Sequence, residues 1–127
     1  FIEVMATRLG ADLNEMYELA AKGQPLAISA MCTVFAESEV ISHIGSGEKR
    51  EDIAAGVIHS VANRVANLAA RFGVEENIVL TGGLCESPYF IQTLSDKLEH
   101  KVETDAFARY AGALGAALTA AKRRDLV

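Results

Sequence analysis

The sequence predicts a small α/β domain, helical in its first half and then ordered strand, helix, strand, helix around a small sheet. Three observations predict it. Ile53, Val57, Val61, Val65 and Leu68 recur every three or four positions, the spacing of one helix face. Ile78-Val79-Leu80 is a short continuous apolar run closed by Gly82-Gly83, which reads as a strand buried on both faces. The C-terminal stretch is rich in Ala, the strongest helix former. At 127 residues, half of them apolar, the chain is at most one ordinary domain and builds a core readily.

The elements follow in order. Phe1, Val4, Met5, Leu9, Leu13, Met16 and Leu19 fall at helical spacing, so a first helix is expected from Ile2 to Ala21, bent near Gly10 and stopped at Lys22-Gly23. No capping residue precedes it, and Phe1 already reads as helix interior. The expectation is therefore a fragment of a longer protein, cut inside or just before this helix. Pro25 restricts the residue before it and opens a new segment. Leu26 to Ala30 is expected to be extended or to lead into a helix from Thr33 to His43. Gly45-Ser46-Gly47 is a break. The strongest helix is expected from Glu48 to Phe72, with Glu48, Glu51 and Asp52 in its first turns and Arg71 in its last, as the helix dipole favours. Gly73 ends it. After the strand at Asn77–Gly83, Ser87-Pro88 opens a helix to about Glu99, with proline in a tolerant first-turn position. His100 to Thr104 is a second strand candidate. A helix from Arg109 to Arg124 closes the chain on Lys122, Arg123 and Arg124.

A net charge of −5 argues against nucleic acid as a main partner. No apolar run approaches the roughly 20 residues that span a bilayer, and no signal peptide is visible. Two cysteines without a secretory signal suggest a reduced, cytoplasmic setting, with a single disulfide left open.

Several constellations could carry chemistry. Cys32 heads the run Cys32-Thr33-Val34-Phe35-Ala36-Glu37-Ser38-Glu39-Val40. A helix N-terminus stabilises a thiolate, which suits a soft-metal ligand or a redox cysteine. Cys32 admits three readings: a buried core thiol, a nucleophile, or a metal-cluster ligand. A nucleophile needs a base, and His43, His59 and His100 show no motif linking them to Cys32. An iron–sulfur cluster takes four thiolates, and this chain offers at most two without close CxxC-type spacing. By spacing alone the core thiol is favoured. Cys85 follows the glycine turn and reads as a small packing residue. At Thr81-Gly82-Gly83 a strand ends in two glycines, which lets a ligand approach the backbone with no Cβ in the way; a plain strand-to-helix turn looks the same. In Gly112-Ala113-Leu114-Gly115-Ala116-Ala117-Leu118, small residues three to four apart suit tight helix packing. Glu37 and Glu39 read as an exposed helix face, although carboxylates can also act as bases or metal-water ligands. His59 reads as a structural histidine. Lys49 and Arg50 either meet phosphate or are solvated.

Taken together and in this order, Cys32 to Val40, Asp52-Ile53-Ala54-Ala55-Gly56, Thr81-Gly82-Gly83 and Gly112 to Leu118 resemble the C-terminal half of the activator components of 2-hydroxyacyl-CoA dehydratases. That wider family includes the ATPase subunits of benzoyl-CoA reductase. The resemblance covers essentially the whole chain. Its first motif is specific, whereas the two glycine motifs are shared across actin-like ATPases. It implies an actin/Hsp70/hexokinase-like (ribonuclease H-like) fold, with residues 1–127 forming one C-terminal lobe of a two-lobe ATPase. It implies ATP or ADP with Mg2+ between the lobes, and a homodimer sharing one [4Fe–4S] cluster to which each subunit gives two cysteines. The implied activity is an ATP-driven, low-potential one-electron reduction of the dehydratase, with reduced ferredoxin or flavodoxin as donor, in amino-acid fermentation. By motif match Cys32 is the second of the two cluster ligands. Thr81, Gly82 and Gly83 match the adenosine-binding turn, Gly112 and Gly115 the helix connecting the lobes, and Glu48, Lys49 and Asp52 a segment that flanks adenine. The family's first cluster cysteine, in a Cys-Ala-Ala-Gly-Thr-Gly segment, and its phosphate motifs would precede Phe1. No catalytic residue is therefore assigned in this chain, and alone it is expected to be inactive. A sugar or small-molecule kinase would share the glycine turn without a use for Cys32. A dimerisation lobe would need no nucleotide.

Overall fold

The computed structural model describes residues 1–29 and 32–124. The chain divides into two compact units, Phe1–Gly73 and Val74–Val127.

The first unit is helical. Its elements are α1 (Ile2–Arg8), α2 (Leu13–Ala20), α3 (Thr33–Gly45) and α4 (Arg50–Ala70). The single first helix expected from Ile2 to Ala21 is two helices. Gly10 adopts φ +65°, outside the helical region, and Asp12 caps a new start. The Asp12 carboxylate accepts the Glu15 N–H at 2.9 Å, while the Glu15 carboxylate accepts the Asp12 N–H at 3.1 Å. This reciprocal capping box satisfies two otherwise unpaired donors and makes a break cheaper than a bend. The expected helices from Thr33 and Glu48 are present as Thr33–Gly45 and Arg50–Ala70, so Glu48 precedes the second rather than lying in its first turn, and Gly47 and Gly73 follow them with positive φ.

The core of this unit is formed by Met5 and Ala6 of α1, Met16 and Ala20 of α2, Ala36 and Val40 of α3, and Ile53, Val57, Ile58 and Ala62 of α4, all at most 1% exposed. The apolar stripe of α4 is buried only in its first half; Val61 and Val65 are half-buried and Leu68 is exposed. Gln24 to Ser29 is irregular and lies along the start of α4; Ala30, at the end of the expected Leu26 to Ala30 segment, falls outside the described residues. The Gln24 N–H donates to the Asp52 carboxylate at 2.7 Å and the Leu26 N–H to the Asp52 carbonyl at 3.3 Å. This approach needs glycine on both sides. A Cβ on Gly56 would lie 2.5 Å from the Leu26 carbonyl oxygen, and one on Gly23 would lie 2.0 Å from that of Glu51.

The second unit holds β1 (Ile78–Val79), α5 (Pro88–Leu98), β2 (Val102–Glu103) and α6 (Ala111–Arg124), with 3-10 turns at Gly83–Glu86 and Ala108–Tyr110. The strands are parallel, Ile78 beside Val102 and Val79 beside Glu103. Ser87 caps α5 by accepting the Phe90 N–H at 3.2 Å, and Pro88 occupies the first turn. Phe90 and Leu94 of α5 and Val102 of β2 are buried. The expected two-sided burial of the first strand is not found: Ile78 is half-buried and Val79 is 60% exposed. Among the described residues the sheet has two strands, so β1 has one hydrogen-bonded neighbour. A fully buried parallel strand needs cover on both faces.

Candidate functional site

The candidate nucleotide turn is built where the two strands end. The Leu80 N–H continues the strand pairing, donating to the Glu103 carbonyl at 2.8 Å. The Thr104 hydroxyl returns a bond to the Leu80 carbonyl at 3.1 Å. Thr81 follows, exposed, and then Gly82 at φ 85°, ψ −177°, a backbone region open essentially to glycine alone. The Gly82 N–H donates to the Ala108 carbonyl and the Cys85 N–H to the Gly82 carbonyl, each at 3.1 Å. A Cβ at Gly82 or Gly83 would meet nothing within 4 Å. The turn therefore presents bare backbone at the carboxyl end of a parallel pair, where ligands of α/β sheets bind. Cys85 is buried behind it as a small packing residue.

Gly112 and Gly115 lie on α6, which is exposed from Gly112 to Arg123. The tight packing expected there is absent, since a Cβ at either glycine has no described neighbour within 4 Å. Beside the turn, Glu86 and Arg109 form an ion pair. It raises the Arg109 pKa above its ordinary value, first by the hydrogen bond and then by charge.

Cys32 belongs to the first unit and is exposed, which overturns the core-thiol reading. The reason is positional. Cys32 caps α3 with extended backbone, φ −93° and ψ 133°, and its side chain makes no capping bond, whereas the faces of α3 that turn inward carry Ala36 and Val40. Both cysteines are free thiols.

Glu37 and Glu39 are half-buried rather than a solvated face. Glu37 pairs with Arg8 of α1 at 2.5 Å. Glu39 accepts the Ser29 N–H at 2.9 Å and the Ser29 hydroxyl at 2.7 Å. These carboxylates anchor α3 to α1 and tether the chain three residues before Cys32. They are fully engaged in structure, so the reading of them as free bases loses its support. Among the described residues no three His, Cys, Asp or Glu side chains gather into a metal site.

Glu48 and Lys49 are exposed, with Lys49 at the N-cap of α4. Asp52 is half-buried and holds Gln24. Arg50 reaches the Gly10 carbonyl at 3.4 Å, and His59 is half-buried within α4. Sequence reasoning missed a cavity of about 500 Å3 in the first unit, lined by Ile28, Ser29, Ser60, Asn63, Asn67 and Arg71 among others. Its signal was present as the polar stripe Ser60, Asn63 and Asn67 on α4 and Arg71 at its C-cap, three or four residues apart.

A model of the BadF/BadG/BcrA/BcrD ATPase family matches residues 1–120. The (R)-2-hydroxyglutaryl-CoA dehydratase activating ATPase of Acidaminococcus fermentans is 44% identical over 124 residues, covering 97% of this chain and 48% of that protein. The crystal structure of component A of the A. fermentans dehydratase is similar with a TM-score of 0.86 and 44% identity, over 94% of this chain and 46% of that one. The activator of the 2-hydroxyisocaproyl-CoA dehydratase from Clostridium difficile, solved with bound ADPNP, also gives 0.86, at 37% identity, over 100% of this chain and 49% of that one. The chain spans about half the length of the curated relatives it matches.

Proposed function

The chain belongs to the BadF/BadG/BcrA/BcrD ATPase family, and from that premise we propose that it is the nucleotide-binding C-terminal lobe of an ATP-dependent activator of a 2-hydroxyacyl-CoA dehydratase. The observation that carries this reading is the likeness, along the whole chain, to an activator that holds ADPNP. The bare turn at Thr81, Gly82 and Gly83 supports it. The physical roles follow. Gly82 turns the chain where any side chain is strained, and Gly83 leaves open surface, so the adenosine lies against backbone. Glu48, Lys49 and Asp52 flank the adenine, and Gly112 and Gly115 lie on the helix that joins the lobes. ATP, with Mg2+, binds between this lobe and its companion and drives a hinge closure.

Cys32 is the residue of this chain that would ligate a [4Fe–4S] cluster shared across a homodimer, the other thiolates coming from outside the chain. When bound, such a cluster supplies a single low-potential electron. The chain's own part is to keep the thiol exposed at the start of α3 and to fix its approach through Glu39 and Ser29. The donor is a reduced ferredoxin or flavodoxin, and the setting is cytoplasmic amino-acid fermentation.

The test uses full-length protein purified without oxygen. ATP or ADP should protect it from thermal unfolding. Cys32→Ser should remove the brown iron–sulfur absorbance while leaving nucleotide protection intact. Absence of any shift at millimolar nucleotide favours a dimerisation lobe. An absorbance that survives the substitution removes Cys32 from the ligand set, and phosphoryl transfer to a sugar in both proteins favours a kinase.

A further inference from the structure

The loops that leave the carboxyl ends of β1 and β2 are bound to one another at three levels. At the base, the Thr104 hydroxyl donates to the Leu80 carbonyl. In the middle, the Gly82 N–H donates to the Ala108 carbonyl. At the rim, the Arg109 guanidinium pairs with the Glu86 carboxylate and lies 5.9 Å from the centre of the Tyr110 ring. Both rim residues sit on short 3-10 turns, Gly83–Glu86 and Ala108–Tyr110, whose few internal bonds hold their shape weakly. The Gly82 amide, the strained point of the turn, is held from the Arg109 side, one residue from the guanidinium.

We propose that the Glu86–Arg109 pair is a clasp that holds the Thr81-Gly82-Gly83 turn in its nucleotide-receiving shape, with Arg109 acting as a positioning residue for nucleotide affinity. This rests on the nucleotide reading of that turn. The clasp joins residues 23 positions apart through one charge-assisted hydrogen bond, from Arg109 Nη1 to Glu86 Oε2, the stronger class of hydrogen bond. Both side chains are about half exposed, 49% and 52%, so salt loosens the clasp. Preorganising the turn spares the ligand the ordering cost, which is how a residue that need not touch the nucleotide changes its affinity.

The experiment is titration of ADP into the full-length wild type, Glu86→Gln, Arg109→Gln and the exchanged pair Glu86→Arg/Arg109→Glu, at about 0.05 M and about 0.5 M salt. Exchange of the Gly82 amide is followed in each. The expected result is a roughly two- to fivefold weaker ADP affinity in each single variant, the range of an exposed ion pair. Affinity recovers in the exchanged pair, the melting temperature is unchanged, and Gly82 exchanges faster in the single variants. The wild-type advantage should shrink at high salt. Single variants that bind ADP as the wild type does overturn the clasp and leave the nucleotide reading standing, as does an exchanged pair that recovers nothing. A wild type that binds no ADP overturns both.

Discussion

Gly23 and Gly56 in the first unit and Gly82 and Gly83 in the second are glycine for opposite reasons. In the first unit the missing Cβ lets the Gly23–Leu26 segment lie directly on α4; a methyl group there would collide with a carbonyl oxygen at 2.0 or 2.5 Å. In the second unit the space around the glycines is empty. Gly82 is needed for its positive φ, and Gly83 leaves a surface bare. The same residue thus closes an interface in one unit and keeps one open in the other. The core of the first unit is assembled across four helices, whereas the second leaves a strand, a helix and the glycine turn exposed.

The largest expected effect tests the close approach. Gly56→Ala should destabilise the protein by about 3 kcal/mol in urea unfolding, because the contacting atom is backbone and cannot rotate away. A change below about 0.5 kcal/mol would mean that the 24–29 segment is not held against α4. Gly82→Ala should cost about 1–3 kcal/mol from backbone strain alone. Gly83→Ala, without that strain, should stay within about 0.5 kcal/mol while weakening nucleotide binding. Equal costs at the two positions would break the distinction between shape and surface.

Next come the two caps. Asp12→Ala and Ser87→Ala should each lose about 1 kcal/mol. Ser87→Ala should cost more because Ser87 is 1% exposed and its bonded Phe90 N–H is left without water. The smallest effect is at Glu103, whose carboxyl is held below its ordinary range by the hydrogen bond from Lys101 and then by its charge. Its folded pKa is lower than its unfolded one. The pair's contribution is therefore present above the ordinary glutamate value of about 4.3 and is lost as pH falls through the folded value. Both groups are largely exposed, so Glu103→Gln should leave the neutral-pH melting temperature unchanged and only flatten the acid limb. A neutral-pH shift would show that the pair is structural.

Much of the local structure was legible in the sequence. Ser87-Pro88, Gly47 and Gly73 mark helix ends by their own backbone chemistry, and Ile53 and Val57 mark the buried face of α4 by spacing. Gly10 reads as a bend within one periodic stretch, but the Asp12–Glu15 capping box, whose spacing is also in the sequence, makes it a break. The site was less legible. For Cys32, spacing alone favours the core, because an isolated cysteine usually packs there, whereas the motif match makes it a cluster ligand. Its exposure depends on α3 turning Ala36 and Val40 inward, which places its N-terminus at the surface.

The sequence by itself determined most of the helices, the glycines and caps that bound them, the order of the motifs and, through that order, the family. Those depend on neighbours within a turn or two, where backbone geometry and spacing act directly. Only the tertiary structure decided that Glu37 meets Arg8, that Glu39 holds Ser29, that Asp52 holds Gln24 and that Glu86 meets Arg109. Each pair joins residues 10 to 29 positions apart. A carboxylate's charge is written in the sequence, but its partner depends on which segments the apolar faces bring together.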